Sequence, residues 1–253
     1  MANEIIMKFL GTGTIRSGPD QFGSSVLIKT LQGNILLDCG PGTLIRLKQL
    51  GFEPGDIKYI FLTHFHPDHV ADLIPLIFVR VNQLSAPDRD IQIWGPPGLN
   101  RYMDGMNSAY GKWMEKPGYT CKELIESPMN FEDFRVTWLK VFHNNESIGY
   151  RFEFGQSAVA FSGDSGFCPE LVMLASGTHT TVLECAFPDG SGIKTHLTPQ
   201  IAGEVAKQAR PGQLLLTHIY PETLKENPEA VIRTYYNGTI KLVRDLDTFK
   251  IPV

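Results

Sequence analysis

A seven-residue stretch, THFHPDH, contains three histidines and one aspartate, and it follows the apolar run IKYIFL. That run has the length and composition of a buried strand. Side chains two residues apart in an extended chain point the same way, so His64 and His66 can bind one ion. Pro67 ends the strand and suits the first turn of a helix, so Asp68 and His69 face a different point. We therefore predict a strand-to-helix loop with ligands for two neighbouring metal ions.

Three further polar residues end apolar runs elsewhere in the chain. His143 ends VTWLKVFH, Asp164 ends VAFSGD, and His218 ends QLLLTH. Strand ends on one rim of two packed sheets can point into a common cleft. Imidazole and carboxylate ligands suit zinc, with manganese or iron as substitutes. The pattern indicates a metal centre built from the ends of several strands.

Apolar runs and helical patterns alternate along the whole chain. Short strands separated by glycine-rich turns come first, and helices are predicted at GTLIRLKQLG, DHVADLIPLIFVRVNQL and TPQIAGEVAKQA. A further helix is predicted near residues 228–236. Strands in both halves with helices between them predict two packed sheets with helices outside. No repeat or linker interrupts the sequence, so we expect one α/β domain over residues 1–253.

The least regular section comprises residues 96–133. Five apolar residues in it follow helical spacing: Leu99, Met103, Met106, Tyr110 and Trp113. Such a stripe fits the core face of a helix, and it also fits a lid over a pocket. We expect this section to form a lid or insert over the active site.

Composition excludes several classes of function. The 27 acidic and 23 basic residues give a net charge of -4 without a basic block, which argues against non-specific binding to nucleic acid. No leader pattern and no apolar run of about 18 residues is visible, so we expect a cytoplasmic protein without membrane contact. The four cysteines form no CxxC pair, and we interpret them as reduced, mostly buried thiols.

The motif HxHxDH, followed by GDS and LLTH and preceded by LLDCGPG, resembles the metallo-β-lactamase fold superfamily of metallohydrolases. The resemblance covers essentially the whole chain and implies a four-layer αββα metallo-β-lactamase sandwich. It also implies two divalent metal ions, Zn²⁺ or alternatively Mn²⁺ or Fe²⁺, and a homodimer. The first ion would be held by His64, His66 and His143, the second by Asp68, His69 and His218, and Asp164 would bridge the two. Asp38, in LLDCG, would orient a metal-bound histidine.

The stretch LECAFPDGSGIKTHLTP bears on the subfamily. It places Glu184 at a strand end and His196 just before a helix that Thr198 caps. It is similar to the Glu and His motifs of ribonuclease Z and to the HLTP motif of class II cyclic-nucleotide phosphodiesterases. Ribonuclease Z has a long tRNA-binding arm between the ligands that correspond to His143 and Asp164, but only 21 residues separate these two positions here. We therefore expect a small ligand and no stable nucleic-acid partner.

The activity implied is hydrolysis of a small phosphodiester or cyclic nucleotide. Two metal ions about 3.5 to 4 Å apart lower the pKa of a bridging water toward about 7 and neutralise the phosphoryl oxygens. Asp68 would accept a proton from the nucleophile. His196, supported by Glu184, would contact the phosphoryl oxygen or protonate the leaving alkoxide.

Four alternative functions are compatible with parts of this sequence pattern. A lactone or thioester hydrolase would use a tyrosine in place of His196, and Tyr150 and Tyr220 are candidates. A ribonuclease Z-like RNA endonuclease without the arm would use the same motifs. A di-iron redox protein is disfavoured because that branch has Glu where this chain has His66. A non-catalytic member would lack metal ligands, and none is missing here. His179 has no comparable context and is interpreted as a surface or structural residue.

Overall fold

The computed structural model describes residues 5–16, 18, 20–82 and 90–253. Two seven-stranded mixed sheets face each other, and helices cover their outer faces. The first sheet has the order β14-β1-β2-β3-β4-β5-β6. Its strands, numbered along the chain, are β1 (Ile5–Gly11), β2 (Ser25–Lys29), β3 (Asn34–Leu37), β4 (Ile57–Phe61), β5 (Ile91–Gly95), β6 (Tyr119–Glu123) and β14 (Thr248–Ile251).

The second sheet has the order β13-β12-β11-β10-β9-β8-β7. Its strands are β7 (Met129–Asn130), β8 (Arg135–Lys140), β9 (Ile148–Phe154), β10 (Ser157–Phe161), β11 (Thr180–Glu184), β12 (Gln213–Thr217) and β13 (Thr239–Leu242). Strands β7 to β10 pair antiparallel, whereas β10 to β13 pair parallel. Consequently β8, β10, β11 and β12 run in one direction and end at the same edge. In the first sheet β3 and β4 likewise run parallel and end together.

Eight α-helices are present in the described part of the chain. They are α1 (Thr43–Gln49), α2 (Pro67–Val70), α3 (Leu73–Val81), α4 (Leu99–Tyr110), α5 (Pro169–Ala175), α6 (Pro199–Ala209), α7 (Pro221–Leu224) and α8 (Pro228–Arg233). One apolar cluster lies between the sheets, a second joins the second sheet to α5, α6 and α8, and a third joins the first sheet to α1, α3 and α4. This arrangement confirms the predicted four-layer αββα sandwich.

The helix predicted across DHVADLIPLIFVRVNQL is interrupted. It divides into α2 and α3, because the backbone N–H of Asp72 donates to the carbonyl of Cys39 (3.0 Å) instead of continuing the helix. The Asp72 carboxylate also accepts the N–H groups of Gly42 and Leu44, at 3.0 Å each. The break therefore ties the metal-binding motif to the LLDCGPG turn. The last two residues of the predicted helix, 83 and 84, lie outside the described residues.

A glycine in that turn allows the two segments to approach closely. A Cβ atom on Gly40 would lie 2.2 Å from the backbone carbonyl oxygen of Asp68. Any side chain at Gly40 would therefore push away the turn that carries Asp68 and His69.

The section predicted as a lid contains α4, β6 and β7. Leu99 and Met103 are buried against the outer face of the first sheet, so the first half of α4 is a core helix. Tyr110, at its end, is 54% exposed. The prediction that other parts of this section cover the active site is not tested by these contacts. No helix among the described residues is long and apolar enough to cross a membrane.

A buried carboxylate near the C-terminus connects distant parts of the first sheet. Asp245 accepts the backbone N–H and hydroxyl of Thr12 (2.9 and 2.8 Å), the N–H of Phe22 (2.9 Å) and the Arg46 guanidinium (3.0 Å). The Thr12 carbonyl in turn accepts the backbone N–H of His218 (3.0 Å). Asp245 therefore supports the backbone of a candidate metal ligand.

Asp245→Ala should destabilise the fold strongly. The side chains of Arg46 and Asp245 are only 12% and 3% exposed, so the substitution would leave a buried guanidinium unpaired, at a cost of about 3 to 5 kcal/mol. Urea unfolding of the metal-free protein measures the effect. Glu222→Ala is the matched control, because it breaks the Arg16–Glu222 pair, whose side chains are 56% and 50% exposed. Equal losses in the two variants would contradict the structural role of Asp245.

Candidate metal centre

Strand ends deliver the seven predicted metal ligands to one edge of the sandwich. His64 and His66 follow β4, Asp68 and His69 lie in α2, and His143, Asp164 and His218 follow β8, β10 and β12. These four strands end at that edge, where ligands commonly bind in sheets of this kind. Pro67 occupies the first turn of α2, as the sequence predicted.

The first group of ligand atoms belongs to His64, His66, His143 and Asp164. One atom from each lies within 4.8 Å of all the others. Nε2 of His143 is 3.2 Å from Nδ1 of His66, and Nε2 of His64 is 3.8 Å from Oδ2 of Asp164. This is the set that the resemblance assigned to the first ion, together with the proposed bridging residue.

The second group belongs to Asp68, His69 and His218. Nε2 of His218 is 3.3 Å from Oδ2 of Asp68. Oδ1 of Asp164 lies 3.2 Å from Nε2 of His69 and 3.6 Å from Nε2 of His218. Asp164 thus turns one oxygen toward each group, which is the position that a bridging carboxylate requires.

Unsatisfied polar atoms show that this centre suits metal ions. Nε2 of His64, Nε2 of His69 and Oδ1 of Asp164 are buried and have no hydrogen-bond partner among the described residues. A buried polar atom without a partner costs about 1 to 3 kcal/mol. Because these atoms converge and are imidazole nitrogens and a carboxylate oxygen, a divalent ion such as zinc would satisfy them.

Contacts behind the histidines orient their rings. Asp38 accepts from Nδ1 of His69 at 2.7 Å, and it also accepts the Thr63 N–H (2.8 Å) and hydroxyl. Oγ1 of Thr63 lies 3.0 Å from Nδ1 of His64. These contacts occupy Nδ1 and leave Nε2 of both rings for the centre. Asp38 therefore lies where the resemblance implied.

Two of the supporting residues were missed by the sequence analysis. One is Thr63, the first residue of THFHPDH, whose contacts with Asp38 and His64 the motif alone did not predict. The backbone carbonyl of Thr195 accepts from Nδ1 of His143 at 3.1 Å. The sequence cannot indicate the Thr195 contact, because every residue has a backbone carbonyl. The Thr63 contact could have been predicted, because Thr63 is directly next to His64 in the chain.

The carboxylates and imidazoles alter each other's pKa values. Burial alone would raise the pKa of Asp164, but His218, His69 and His64 hold it well below its usual value. Burial would lower the pKa of His69, but Asp164 and Asp38 raise it well above the usual value. For His64, burial and the neighbouring His69 lower the pKa well below the usual value. These shifts favour an ionised Asp164 and a neutral His64, which are the states that bind metal, whereas His69 would release its proton when an ion binds.

Two residues of the centre have strained backbones. Asp38 has φ 56° and His218 has φ 53°, in the left-handed region that non-glycine residues seldom adopt. Such conformations persist where the surroundings impose them, often at functional sites. For His218 the restraint includes the hydrogen bond from its N–H to Thr12.

His196 and Glu184 form a pair beside the second group. Nδ1 of His196 lies 2.8 Å from Oε1 of Glu184, which also accepts the N–H of Ser165 (2.7 Å). Burial would lower the pKa of His196, but the hydrogen bond and charge of Glu184 raise it. One ring nitrogen of His196 lies within 4.8 Å of ligand atoms of Asp164 and His218. The predicted pair therefore exists and reaches the centre.

The structure separates the two candidate tyrosines. The suggestion that Tyr150 could act on a carbonyl substrate is wrong. Tyr150 is fully buried between the sheets, and its hydroxyl donates to the Leu62 carbonyl at 2.7 Å. Alternate residues of β9 face opposite sides of the sheet, but the sequence does not indicate which side packs against the other sheet. The Tyr220 ring is 6.3 Å from the His218 ring and stacks on Phe187 at 4.8 Å. His179 precedes β11, at the opposite end of that strand from Glu184.

The sequence profile of the Beta-lactamase superfamily domain matches residues 33–219. The chain belongs to the beta-lactamase superfamily. Within this superfamily, Ribonuclease Z of Mycobacterium marinum is 28% identical over 279 residues, covering 98% of this chain and 99% of the relative.

Solved structures of the beta-lactamase superfamily share the fold. YhfI from Bacillus subtilis, a metallo-beta-lactamase fold protein, has a TM-score of 0.84 at 21% identity, covering 98% of this chain and 99% of YhfI. Human tRNase Z, short form, has a TM-score of 0.79 at 24% identity, covering 98% and 100%. The resemblance inferred from HxHxDH is thereby confirmed. The chain is a member of a metallo-hydrolase superfamily and has a His/Asp cluster suited to metal ions.

Proposed function

We propose that this protein is a metal-dependent phosphodiesterase that acts on a small phosphodiester. The observation that carries the proposal is the His196–Glu184 pair beside the metal centre. Because Nδ1 of His196 is engaged by Glu184 at 2.8 Å, Nε2 is the nitrogen left for a phosphoryl or leaving oxygen. A protonated imidazole in this position donates a hydrogen bond to developing negative charge.

The seven ligands would hold two divalent ions in the arrangement that the resemblance implies. Bound ions supply Lewis acidity, which activates a water molecule and neutralises phosphoryl charge. Oδ2 of Asp68 lies 3.3 Å from Nε2 of His218. The Asp68 carboxylate would accept a proton from the attacking water. Glu184 would keep His196 oriented and protonated, since that carboxylate raises the pKa of His196.

The substrate is better matched by a small molecule than by tRNA. Between His143 and Asp164 the chain forms only a short loop and the hairpin of β9 and β10. The net charge is -4, which disfavours extended contact with a nucleic-acid backbone. The names Ribonuclease Z and tRNase Z indicate RNA-cleaving relatives and so support phosphodiester chemistry. An RNA endonuclease without the arm is the nearest variant of the proposal.

A second candidate is a lactone or thioester hydrolase. Tyr220 favours it, because its ring lies 6.3 Å from His218 at the centre. The Tyr220 hydroxyl would then stabilise the oxyanion of a carbonyl substrate in place of His196.

A substrate panel separates these candidates. We expect the metal-reconstituted protein to hydrolyse bis-p-nitrophenyl phosphate, and a chelator to abolish the reaction. The panel also contains cyclic nucleotides, a lactone, a thioester and a β-lactam. Turnover of the lactone or thioester, without turnover of any phosphodiester, would overturn the proposal in favour of a carbonyl hydrolase.

The other implications of the resemblance keep the status of predictions. They are Zn²⁺ as the bound ion and a homodimer; the cytoplasmic location, expected from the sequence pattern, is likewise a prediction. Elemental analysis and sedimentation of the purified protein test the first two.

A further inference from the structure

Two grooves of about 430 Å³ each are lined in part by chain neighbours of the candidate metal ligands. The apolar groove is lined by Phe142, Phe167, Ile193 and Lys194, with residues 189–192 and the start of α6. The polar groove is lined by Phe65, Pro97, Gly98, Arg101, Tyr102, Asn145 and Glu146.

Chain connectivity brings both grooves next to the first ligand group. Phe142 lines the apolar groove, Asn145 and Glu146 line the polar groove, and His143 lies between them in the chain. Phe65, in the polar groove, stands between His64 and His66. Both grooves are therefore lined by chain neighbours of the first ligand group, within reach of a molecule held at the centre.

The apolar groove adjoins the proposed proton donor. Lys194 lines it and is followed by Thr195, whose carbonyl binds His143, and then by His196. Phe142, Phe167 and Ile193 are 49%, 40% and 38% exposed. Three large apolar side chains exposed around one groove indicate a surface that a ligand covers.

The polar groove has different chemistry. Phe65 and Tyr102 stack with ring centroids 5.0 Å apart and form an aromatic wall. Within the described residues, neither Arg101 nor Glu146 forms an ion pair, so both remain available to a ligand. A guanidinium, a carboxylate and the Asn145 amide suit a group rich in hydroxyls or hydrogen-bonding ring edges.

We propose that the substrate is a linear, unsymmetrical phosphodiester with an apolar leaving alcohol. The apolar alcohol occupies the apolar groove, and a polar, nucleoside-like group occupies the polar groove. This inference rests on the proposed phosphodiesterase activity and narrows its substrate. In a cyclic nucleotide both ester oxygens belong to one sugar, so such a molecule fills only one groove.

The grooves also determine which bond breaks. The oxygen of one water molecule bonds to phosphorus, and Asp68 takes its proton. The bond from phosphorus to the apolar alcohol breaks, and its electron pair stays on the alcohol oxygen, which His196 protonates. The products are the free alcohol and a phosphomonoester of the polar group.

Two diesters of thymidine 5′-monophosphate test the inference, the 2-phenylethyl ester and the methyl ester. The leaving group is an alkoxide in both esters, so a difference in rate between them reports the effect of the apolar phenylethyl group. We expect kcat/KM for the phenylethyl ester to be about tenfold to 100-fold higher, which is the effect of burying an aromatic side chain. Thymidine 3′,5′-cyclic monophosphate should be cleaved more slowly than the phenylethyl ester. Equal rates for the two esters, or faster cleavage of the cyclic compound, would overturn the inference.

Variants connect the preference to the grooves. Phe142→Ala and Phe167→Ala should each reduce the ratio of kcat/KM between the two esters, and Arg101→Ala should raise KM for both. Ile125→Ala is the matched control, since Ile125 is 84% exposed and lines neither groove. Thermal unfolding verifies that each variant is folded. A ratio that is unchanged in both phenylalanine variants would refute the apolar groove as the binding site.

Equilibrium binding separates this inference from the proposed function. Uncleavable analogues, with a methylene group in place of the bridging oxygen of each ester, are titrated into metal-loaded protein by calorimetry. We expect the phenylethyl analogue to bind at least about tenfold more tightly, and Phe142→Ala to weaken it selectively. If no phosphodiester is hydrolysed but this preference holds, only the proposed function fails. If both analogues bind equally, the inference fails whatever the activity.

Discussion

Asp164→Ala is expected to abolish turnover and to reduce the bound metal from about two ions per chain. Asp164 turns one oxygen toward each ligand group, at 3.8 Å from His64 and 3.2 Å from His69. Losing a residue that merely supports a metal ligand costs about 10-fold to 100-fold in affinity or activity. A bridging ligand should cost more, because both ions lose a bond and their mutual repulsion is no longer offset. Elemental analysis of protein purified without chelator gives the stoichiometry.

The control for this experiment is Asp104→Ala. Asp104 is an exposed carboxylate on α4, so its loss should change neither metal content nor turnover. Circular dichroism should show that both variants retain the sandwich, since the apolar clusters do not include either residue. Wild-type turnover with two ions bound in Asp164→Ala would rule out the bridging role. A wild-type stoichiometry near zero after reconstitution with zinc and manganese would rule out a dinuclear centre.

His196→Ala should lower turnover while leaving metal content unchanged. Its ring lies beside Asp164 and His218, but Nδ1 is held by Glu184 and not by a metal-ligand carboxylate. General acid catalysis contributes roughly 100-fold to 10,000-fold. We expect a loss of this size for a diester with a poor alkoxide leaving group, because that oxygen requires a proton as it departs. The loss should be smaller for p-nitrophenolate, which leaves without a proton.

The measurement is the ratio of the two losses in the same variant, taken from kcat/KM with both ions bound. His179→Ala is the matched control, because this histidine lies at the far end of β11 and contacts Thr180. It should leave both rates unchanged. Equal losses on good and poor leaving groups in His196→Ala would exclude proton donation, and a phosphate-binding role would then be the remaining explanation.

Local patterns account for the parts of the centre that the sequence revealed. Each metal ligand follows an apolar run, and strand periodicity makes His64 and His66 face the same way. Pro67 then ends the extended segment, so Asp68 and His69 enter a helix. The pair of Glu184 and His196 was accessible for a similar reason. It joins a strand end to the residues just before the helix cap at Thr198.

Contacts between distant segments account for what the sequence did not show. The helix after the motif breaks at Asp72 because the turn containing Cys39 and Gly42 takes over its hydrogen bonds. Tyr150 looked like a site residue, but the face of β9 on which it lies packs against the other sheet. Nothing near Asp245 in the sequence indicates its contact with Arg46, which lies 199 residues away.

The sequence by itself determined the superfamily, the four-layer sandwich and the identity of the seven candidate metal ligands. Only the tertiary structure decided that their atoms converge, with Asp164 turned toward both groups, and that chain neighbours of His143 line two separate grooves. The physical reason is that strand ends are local features, set by a few neighbouring side chains. Their meeting point depends on the order and direction of strands in two sheets, which hydrogen bonds between distant segments establish.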